Sequence, residues 1–296
     1  MAPAVTFHFE TCARCGLCVE VCPSRVIRRR PEGLPEPDPE RAGICLACGH
    51  CMAVCPTRSV TAGALDYDRD FPELARNGLD YPAFAAFLAS RRSIRAFKPH
   101  PVPREALERI AAAVAFAPMS FPPHKLRLTI FQDRAAVERL LPPMLDFYGR
   151  LLEQLRKFMP RRFIRKAAGP ELFSTIRNHV EPIMRLRVPA MRRPGAVDEI
   201  TRGAPALILF HAPVTAEGHT QDGDIALTYG MLAAHALGLG ACCITLVPPA
   251  VNRTPGLREQ VRLPAENEVV AALAVGYPWV KYQRGIRREL AGVEWL

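Results

Sequence analysis

From about residue 81 onwards, apolar residues recur at helical and strand periods. Phe84, Phe87 and Leu88 form a helical stripe, and Leu107, Ile110, Ala111 and Val114 share one face of a helix expected between residues 103 and 117. Strand-type runs occupy 126–131, 206–211, 241–247 and 269–275. Helices are expected at about 134–141 and, longer, at 224–237. Helices mixed with few strands define an α+β or α/β domain. Ahead of it, residues 66–82 mix Asp, Pro, Gly and Asn as a connector does. Residues 28–41, with Pro31, Pro35, Pro37 and Pro39, read as a surface loop too rich in proline for a helix or strand interior. The longest apolar region, 231–247, carries His235 and several glycines and reads as buried helix followed by strand. No run reaches the roughly eighteen apolar residues that a membrane span needs.

Composition adds little until the cysteines are placed. A chain of 296 residues, about half apolar and a quarter charged, supports one large domain with a small appendage, or two domains, with packed cores. Residues 1–9 lack a basic stretch followed by an apolar core, so no secretory signal is expected and the cytoplasm is the expected compartment. Eight of the ten cysteines precede Pro56, and the other two, Cys242 and Cys243, are expected to be packing residues. The eight form two runs, Cys12-x2-Cys15-x2-Cys18-x3-Cys22-Pro23 and Cys45-x2-Cys48-x2-Cys51-x3-Cys55-Pro56. Zinc usually takes two separated pairs of ligands, and disulfides belong to oxidising compartments, so this spacing points to iron–sulfur ligation. Residues 5–65 resemble bacterial-type two-cluster ferredoxins, whose pattern gives three thiolates of a run to one cubane and the fourth to the other. The pattern assigns Cys12, Cys15, Cys18 and Cys55 to one [4Fe–4S] cluster and Cys45, Cys48, Cys51 and Cys22 to a second.

Three later segments stand at suitable distances from one another. Arg91-Arg92-Ser93-Ile94-Arg95-x-Phe97 precedes Pro101-Val102-Pro103 and a helix. Asp224-x5-Gly230-x-Leu232-x-Ala234-x-Ala236 runs into Leu237-Gly238-Leu239-Gly240. Val275-Gly276-Tyr277-Pro278 is followed by Lys281 and Arg284. Together they resemble the nitroreductase family of FMN enzymes over residues 85–296. The resemblance implies an α+β fold, a mixed sheet flanked by helices, in a homodimer with FMN at the subunit interface. It implies that Arg91, Arg92 and Ser93 contact the FMN phosphate and ribityl chain, with Arg95 nearby and Lys281 and Arg284 closing the same end. Guanidinium groups suit that phosphate because they bind it bidentately. Gly238 and Gly240 are expected to end the helix and let the chain pass close to the flavin or a neighbouring helix. Thr245 and Leu246 align with the segment that approaches the flavin's redox-active face. One stretch departs from the family's "APS..N.QP" pattern, reading Ala117-Pro118-Met119-Ser120-Phe121-Pro122-Pro123-His124-Lys125. Pro122 stands at the Asn position and offers no donor, and His124 falls near the Gln position. Ser120 and His124 are the candidate positioning groups; no catalytic residue is assigned. The expected organisation is a two-cluster ferredoxin domain at 1–65, a linker at 66–84 and an FMN domain at 85–296 with a basic variable insertion at 150–200.

Charge is concentrated in that insertion. Residues 150–193 hold twelve Arg/Lys against three Glu, nearly all of the chain's formal +10. Leu151, Leu152, Leu155, Phe158, Met159, Phe163 and Ile164 interleave with arginines there. The segment suits a cover over the flavin, a docking face for an acidic electron carrier, contact with an anionic membrane surface, or ordinary helices with solvated arginines. No module for nucleic acid accompanies the charge. The expected function is electron transfer from the clusters to FMN and on to a small organic acceptor: a nitroaromatic, a quinone or a specific biosynthetic substrate. The external donor is expected to be ferredoxin-type or NAD(P)H. Two other schemes fit the same residues, an electron-transfer protein linking redox partners and an NAD(P)H-oxidising flavoenzyme passing electrons out through the clusters.

Overall fold

A computed structural model describes residues 5–75, 78–120, 125–193 and 195–296, without the side chains of residues 158–161, 168 and 172. Contacts divide the described chain into two units, one up to residue 79 and one from residue 80.

The first unit is built twice from one pattern. β1 (Val5–Phe7) pairs antiparallel with β4 (Val60–Ala62), and β2 (Ile27–Arg29) with β3 (Pro35–Pro37). Short helices α1 (Leu17–Glu20) and α2 (His50–Ala53) each start after a glycine at positive φ, Gly16 and Gly49. Arg14 and Ala47, then Arg25 and Arg58, take positive φ at matching positions of the two halves. Such backbone is costly outside glycine and signals a chain wrapped around something. α3 (Tyr67–Asp70) follows, capped by the Asp66 carboxylate accepting from the amides of Asp68 and Arg69. The hairpin β2–β3 corrects the expectation of a loop over 28–41. Arg30 N–H donates to Leu34 O and Asp38 N–H to Val26 O, so the inward-facing pairs alternate past Pro35 and Pro37. The nitrogens of both prolines face away from the partner strand, where no donor is needed.

In the second unit, α4 (Tyr81–Ser90) and α5 (Arg104–Val114) lead to a four-stranded sheet. Its members are β5 (Arg127–Phe131), β6 (Ala206–Pro213), β7 (Gly240–Cys243) and β8 (Asn267–Gly276), in the order β5-β6-β8-β7. All these pairings are antiparallel, and a parallel bridge from Ser93 to Ala241 adds the mixed edge. Between β5 and β6 come α6 (Arg134–Glu138), α7 (Leu141–Arg156), α8 (Phe158–Ala168), α9 (Pro170–Thr175), a π-helical turn (Ile176–Val180) and α10 (Glu181–Met191). The basic 150–193 stretch is therefore largely helical. α11 (His219–Ala236), α12 (Val247–Asn252) and α13 (Pro255–Gln260) complete the unit.

β6 and β8 read as nearly unbroken apolar runs because both faces of the sheet are covered. Ile208, Phe210, Leu273 and Val275 pack under α5 and α11. Their alternating neighbours Leu207, Leu209, Ala272 and Ala274 pack under α7, α10, α12 and α13. The strand expected to reach 247 ends at Cys243 instead, and Pro248 and Pro249 sit in the first turn of α12, where a missing N–H costs nothing. The helix expected over 134–141 divides into α6 and the longer α7, which likewise opens on two prolines. Strand alternation also splits the cysteine pair: Cys242 is buried in the core, but Cys243 faces outward from the edge strand, so packing accounts for only the first. Among the described residues no helix is long and apolar enough to cross a membrane.

Candidate functional site

In the first unit the eight cysteines line two separate cavities. Cys12, Cys15, Cys18 and Cys55 surround one, and Cys22, Cys45, Cys48 and Cys51 the other. Each fourth cysteine thus crosses to the other run. None of the ten cysteines is in a disulfide. Backbone amides already point at the sulfurs: Arg14 N–H reaches Cys12 Sγ at 3.4 Å, Val26 N–H reaches Cys22 Sγ at 3.3 Å and Ser59 N–H reaches Cys55 Sγ at 3.2 Å. Burial and then the Cys55, Cys12 and Cys15 thiols push up the Cys18 pKa. Burial and the neighbouring Cys48 push Cys51 up to about 12. Four soft thiol donors around each cavity fit a cationic iron–sulfur core, whose charge offsets the burial and repulsion that raise Cys18 and Cys51. Cys55 behaves differently. Burial works to raise it, yet donors from Ser59 and Thr57 and the Tyr67 hydroxyl outweigh burial and hold it below the ordinary thiol range. Among the described residues no three His, Cys, Asp or Glu side chains converge on a single-ion position.

In the second unit, Arg91, Arg92, Gly240 and Lys281 line one cavity of about 280 Å³. Three sequence-distant segments bring them there. Ile94 N–H donates to Ala241 O at 3.0 Å, Lys98 N–H to Tyr277 O at 2.8 Å and Trp279 N–H to Ala96 O at 2.9 Å, so the arginine segment is stitched to β7 and to the chain leaving β8. Gly240 is required by this contact: a Cβ there would lie 2.6 Å from Ile94 Cγ1. Its close neighbour is the arginine segment itself. Among the described residues Arg91, Arg92, Arg95 and Lys281 make no ion pair, and Arg92 Nε donates to Arg91 O at 2.6 Å. His235 lies in the same cavity, 2.8 Å from Ser90 Oγ, and burial followed by Arg91 lowers its pKa.

Arg95 lines a larger cavity of about 1000 Å³, together with Phe97, Arg134, Arg192, Arg202 and Trp279. Arg134 and Arg192 are paired there, with Glu138 and Asp146. Arg202 sits at positive φ in a turn pinned by Asp198, which accepts from the amides of Ile200, Thr201 and Gly203 at 2.8, 2.8 and 2.9 Å. Sequence reasoning missed Arg134, Arg192, Arg202 and Trp279 as lining residues; the Asp198-x2-Thr201-x-Gly203 turn was the available signal for Arg202.

The remaining expected residues stand elsewhere. Ser120 donates from both its amide and its hydroxyl to the buried Asp222 carboxylate, each at 2.8 Å, and lines neither cavity. Thr245 is exposed, and the Leu246 carbonyl accepts from Tyr148 OH at 2.6 Å. Ser93 is half-buried beside Ala241, and Arg284 is exposed in the segment after β8. Pro122 and His124 lie outside the described residues.

Comparison with known proteins gives two family matches: the nitroreductase family over residues 88–277 and the 4Fe-4S dicluster domain over residues 11–59. Among solved structures, a nitroreductase with bound FMN from Bacteroides fragilis NCTC 9343 is 18% identical, with a TM-score of 0.54 over 72% of this chain and 97% of its own. A nitroreductase with bound FMN from Desulfitobacterium hafniense DCB-2 is 17% identical, with a TM-score of 0.51 over 71% and 97%. An FMN-dependent nitroreductase from Clostridium difficile R20291 is 16% identical, with a TM-score of 0.50 over the same shares. At these identities the likeness is one of fold. No curated protein matches the chain significantly.

Proposed function

The chain belongs to the nitroreductase family, and from that membership we propose an FMN-dependent oxidoreductase in which electrons pass from two [4Fe–4S] clusters to FMN and on to a small organic acceptor. The observation that carries this reading is the convergence of Arg91, Arg92 and Lys281, free of ion pairs among the described residues, on one cavity. The same chain forms two four-thiol cradles.

When bound, FMN supplies two-electron chemistry and the clusters supply one-electron transfer. Arg91, Arg92 and Lys281 hold the FMN phosphate, since unpaired guanidinium and ammonium groups meet a dianion with charge-assisted hydrogen bonds. Ser93 and Arg95 continue along the same segment, and Arg95 lines the larger cavity. Tyr148, by holding the Leu246 carbonyl, fixes the segment that the family resemblance sets against the flavin. Asp222 holds Ser120 by both its amide and its hydroxyl. The eight cysteines hold the clusters in the crossed sets described above.

A homodimer completes the reading. On α4, Tyr81, Phe84 and Leu88 are exposed, and the segment after β8 exposes Trp279, Ile286, Leu290 and Trp295. Apolar surface on this scale is ordinarily covered by a partner, and a second copy of the chain is the partner we assign. The acceptor is a nitroaromatic, a quinone or a specific biosynthetic substrate.

Anaerobic addition of NADH, NADPH or reduced ferredoxin to the purified holoprotein, followed by visible spectroscopy, tests the route. Reduced ferredoxin should bleach cluster and flavin bands, and a nitroaromatic or quinone should restore them. Flavin bleached by NAD(P)H alone would overturn the inlet role of the clusters. Fully reduced protein that turns over no small acceptor would instead mark an electron-transfer protein.

A further inference from the structure

The two cradles follow one pattern, yet the surroundings of their fourth cysteines differ. Cys22 and Cys55 occupy matching positions, and each accepts an amide N–H from the residue four places on. Beyond that the halves part. Thr57 Oγ1 lies 3.8 Å from Cys55 Sγ, Ser59 Oγ lies 2.7 Å from Thr57 Oγ1, and Thr11 Oγ1 lies 2.8 Å from Ser59 Oγ. An iron-bound thiolate carries no proton, so the Thr57 hydroxyl is the donor to sulfur. Thr57 then accepts from Ser59 over 2.7 Å, shorter than the 3.4 Å contact from Ser59 Oγ to Thr57 O, and Ser59 accepts from Thr11 over 2.8 Å, shorter than the 3.3 Å contact from Thr11 Oγ1 to His8 O. Taken along its shortest contacts, the chain runs its O–H groups towards Cys55, and the middle link, Ser59, is only 3% exposed. At the matching positions around Cys22 stand Ser24, Val26 and Ile44. Two of the three hydroxyls have become hydrocarbon, and the chain has no counterpart.

Burial acts in the same direction. Cys51 is buried, whereas Cys18 at the matching position is only half-buried, and Cys15 is exposed where Cys48 is half-buried. Arg29 adds a cation beside the first cradle, donating from Nη2 to Cys15 O at 3.2 Å. Reduction adds one electron, and so one negative charge, to a cluster, with no bond made or broken. Hydrogen bonds to sulfur and nearby cations stabilise the reduced form and raise the potential, while burial away from water lowers it.

We infer that the cluster on Cys12, Cys15, Cys18 and Cys55 has the higher potential of the two and takes the first electron, with Thr57 and Ser59 setting the gap. The inference rests on the reading that both clusters are present. Its test is an EPR-monitored potentiometric titration of the full holoprotein with dithionite, alongside iron and sulfide analysis. Two midpoints are expected. T57V and S59A should each lower the upper midpoint and leave the lower one in place, T57S should restore the upper one, and S24A should move neither. T57V alters an exposed side chain, so it tests the idea even where S59A folds poorly. Two clusters sharing one midpoint, or a T57V variant that keeps the wild-type midpoints, would overturn the inference alone. Iron and sulfide for a single cluster would overturn the two-cluster reading and the inference with it.

Discussion

His211 lies 4% exposed in β6, with Asn267 Nδ2 at 2.8 Å from Nδ1 and Thr129 Oγ1 at 3.2 Å from Nε2. An amide nitrogen only donates, so Nδ1 is the acceptor and the neutral ring carries its proton on Nε2. Burial, then Arg127, lowers the pKa of this histidine. The unfolded chain therefore binds the proton first, near its ordinary pKa of about 6.5, and stability falls as pH drops below that value. H211Q should flatten this acid limb, as read from urea midpoints between about pH 7 and pH 5; an unchanged limb would remove His211 from the account. At this scale, legibility in sequence depends on whether a residue's partner is near in the chain. The cysteines and Arg91–Arg92 are legible because their chemistry is spelled out in adjacent positions. Asp222, which holds Ser120 across 102 residues, looks in sequence like any acidic residue in a helical first turn.

Elements were most legible where both of their faces are buried. β6 and β8 declare themselves as apolar runs, whereas the end of β7 is hidden because Ile244 and Val247 continue the apolar pattern through a turn. The β2–β3 hairpin was illegible for the opposite reason: its prolines argue against a strand until the direction of each nitrogen is known. The contact between β7 and the arginine segment supplies a second prediction. G240A sets a methyl group within 2.9 Å of three Ile94 atoms, an overpacking that should cost about 1–3 kcal/mol and release FMN. I94A alone should cost about 2–5 kcal/mol by deleting a buried side chain, and in G240A/I94A the two costs should fall clearly short of their sum. Fully additive costs would show that the glycine serves something other than this fit.

At the scale of the whole molecule, the segment after β8 returns to α4: a Cβ on Gly285 would lie 2.8 Å from Ala89 O. Beyond it Ile286, Leu290 and Trp295 remain exposed. Deleting residues 286–296 should shift the sedimenting species from dimer towards monomer and weaken flavin retention; a truncated chain that stays dimeric would place the interface elsewhere. The division into units falls where the cysteine runs have given way to helical periods, but exposure could not be read from sequence, since α4 carries the stripe of a buried helix. The crossed cysteine sets have a mechanical consequence. Cys55 closes back on the first run and Cys22 closes forward on the second, so a cluster held by each set would be a cross-link, with the loop 22–45 nested inside the loop 18–55. Covalent closures of this kind remove disorder from the unfolded chain, as disulfides do. The described core they reinforce has just seven buried residues, too few to secure so short a unit alone. Iron removal should therefore open the unit, and brief trypsin treatment should cut after Arg25, Arg28 and Arg29 before it touches the sheet domain, with the loaded protein resisting. Damage to such a cluster by oxygen would then do more than interrupt a current: it would unfasten the fold that holds it.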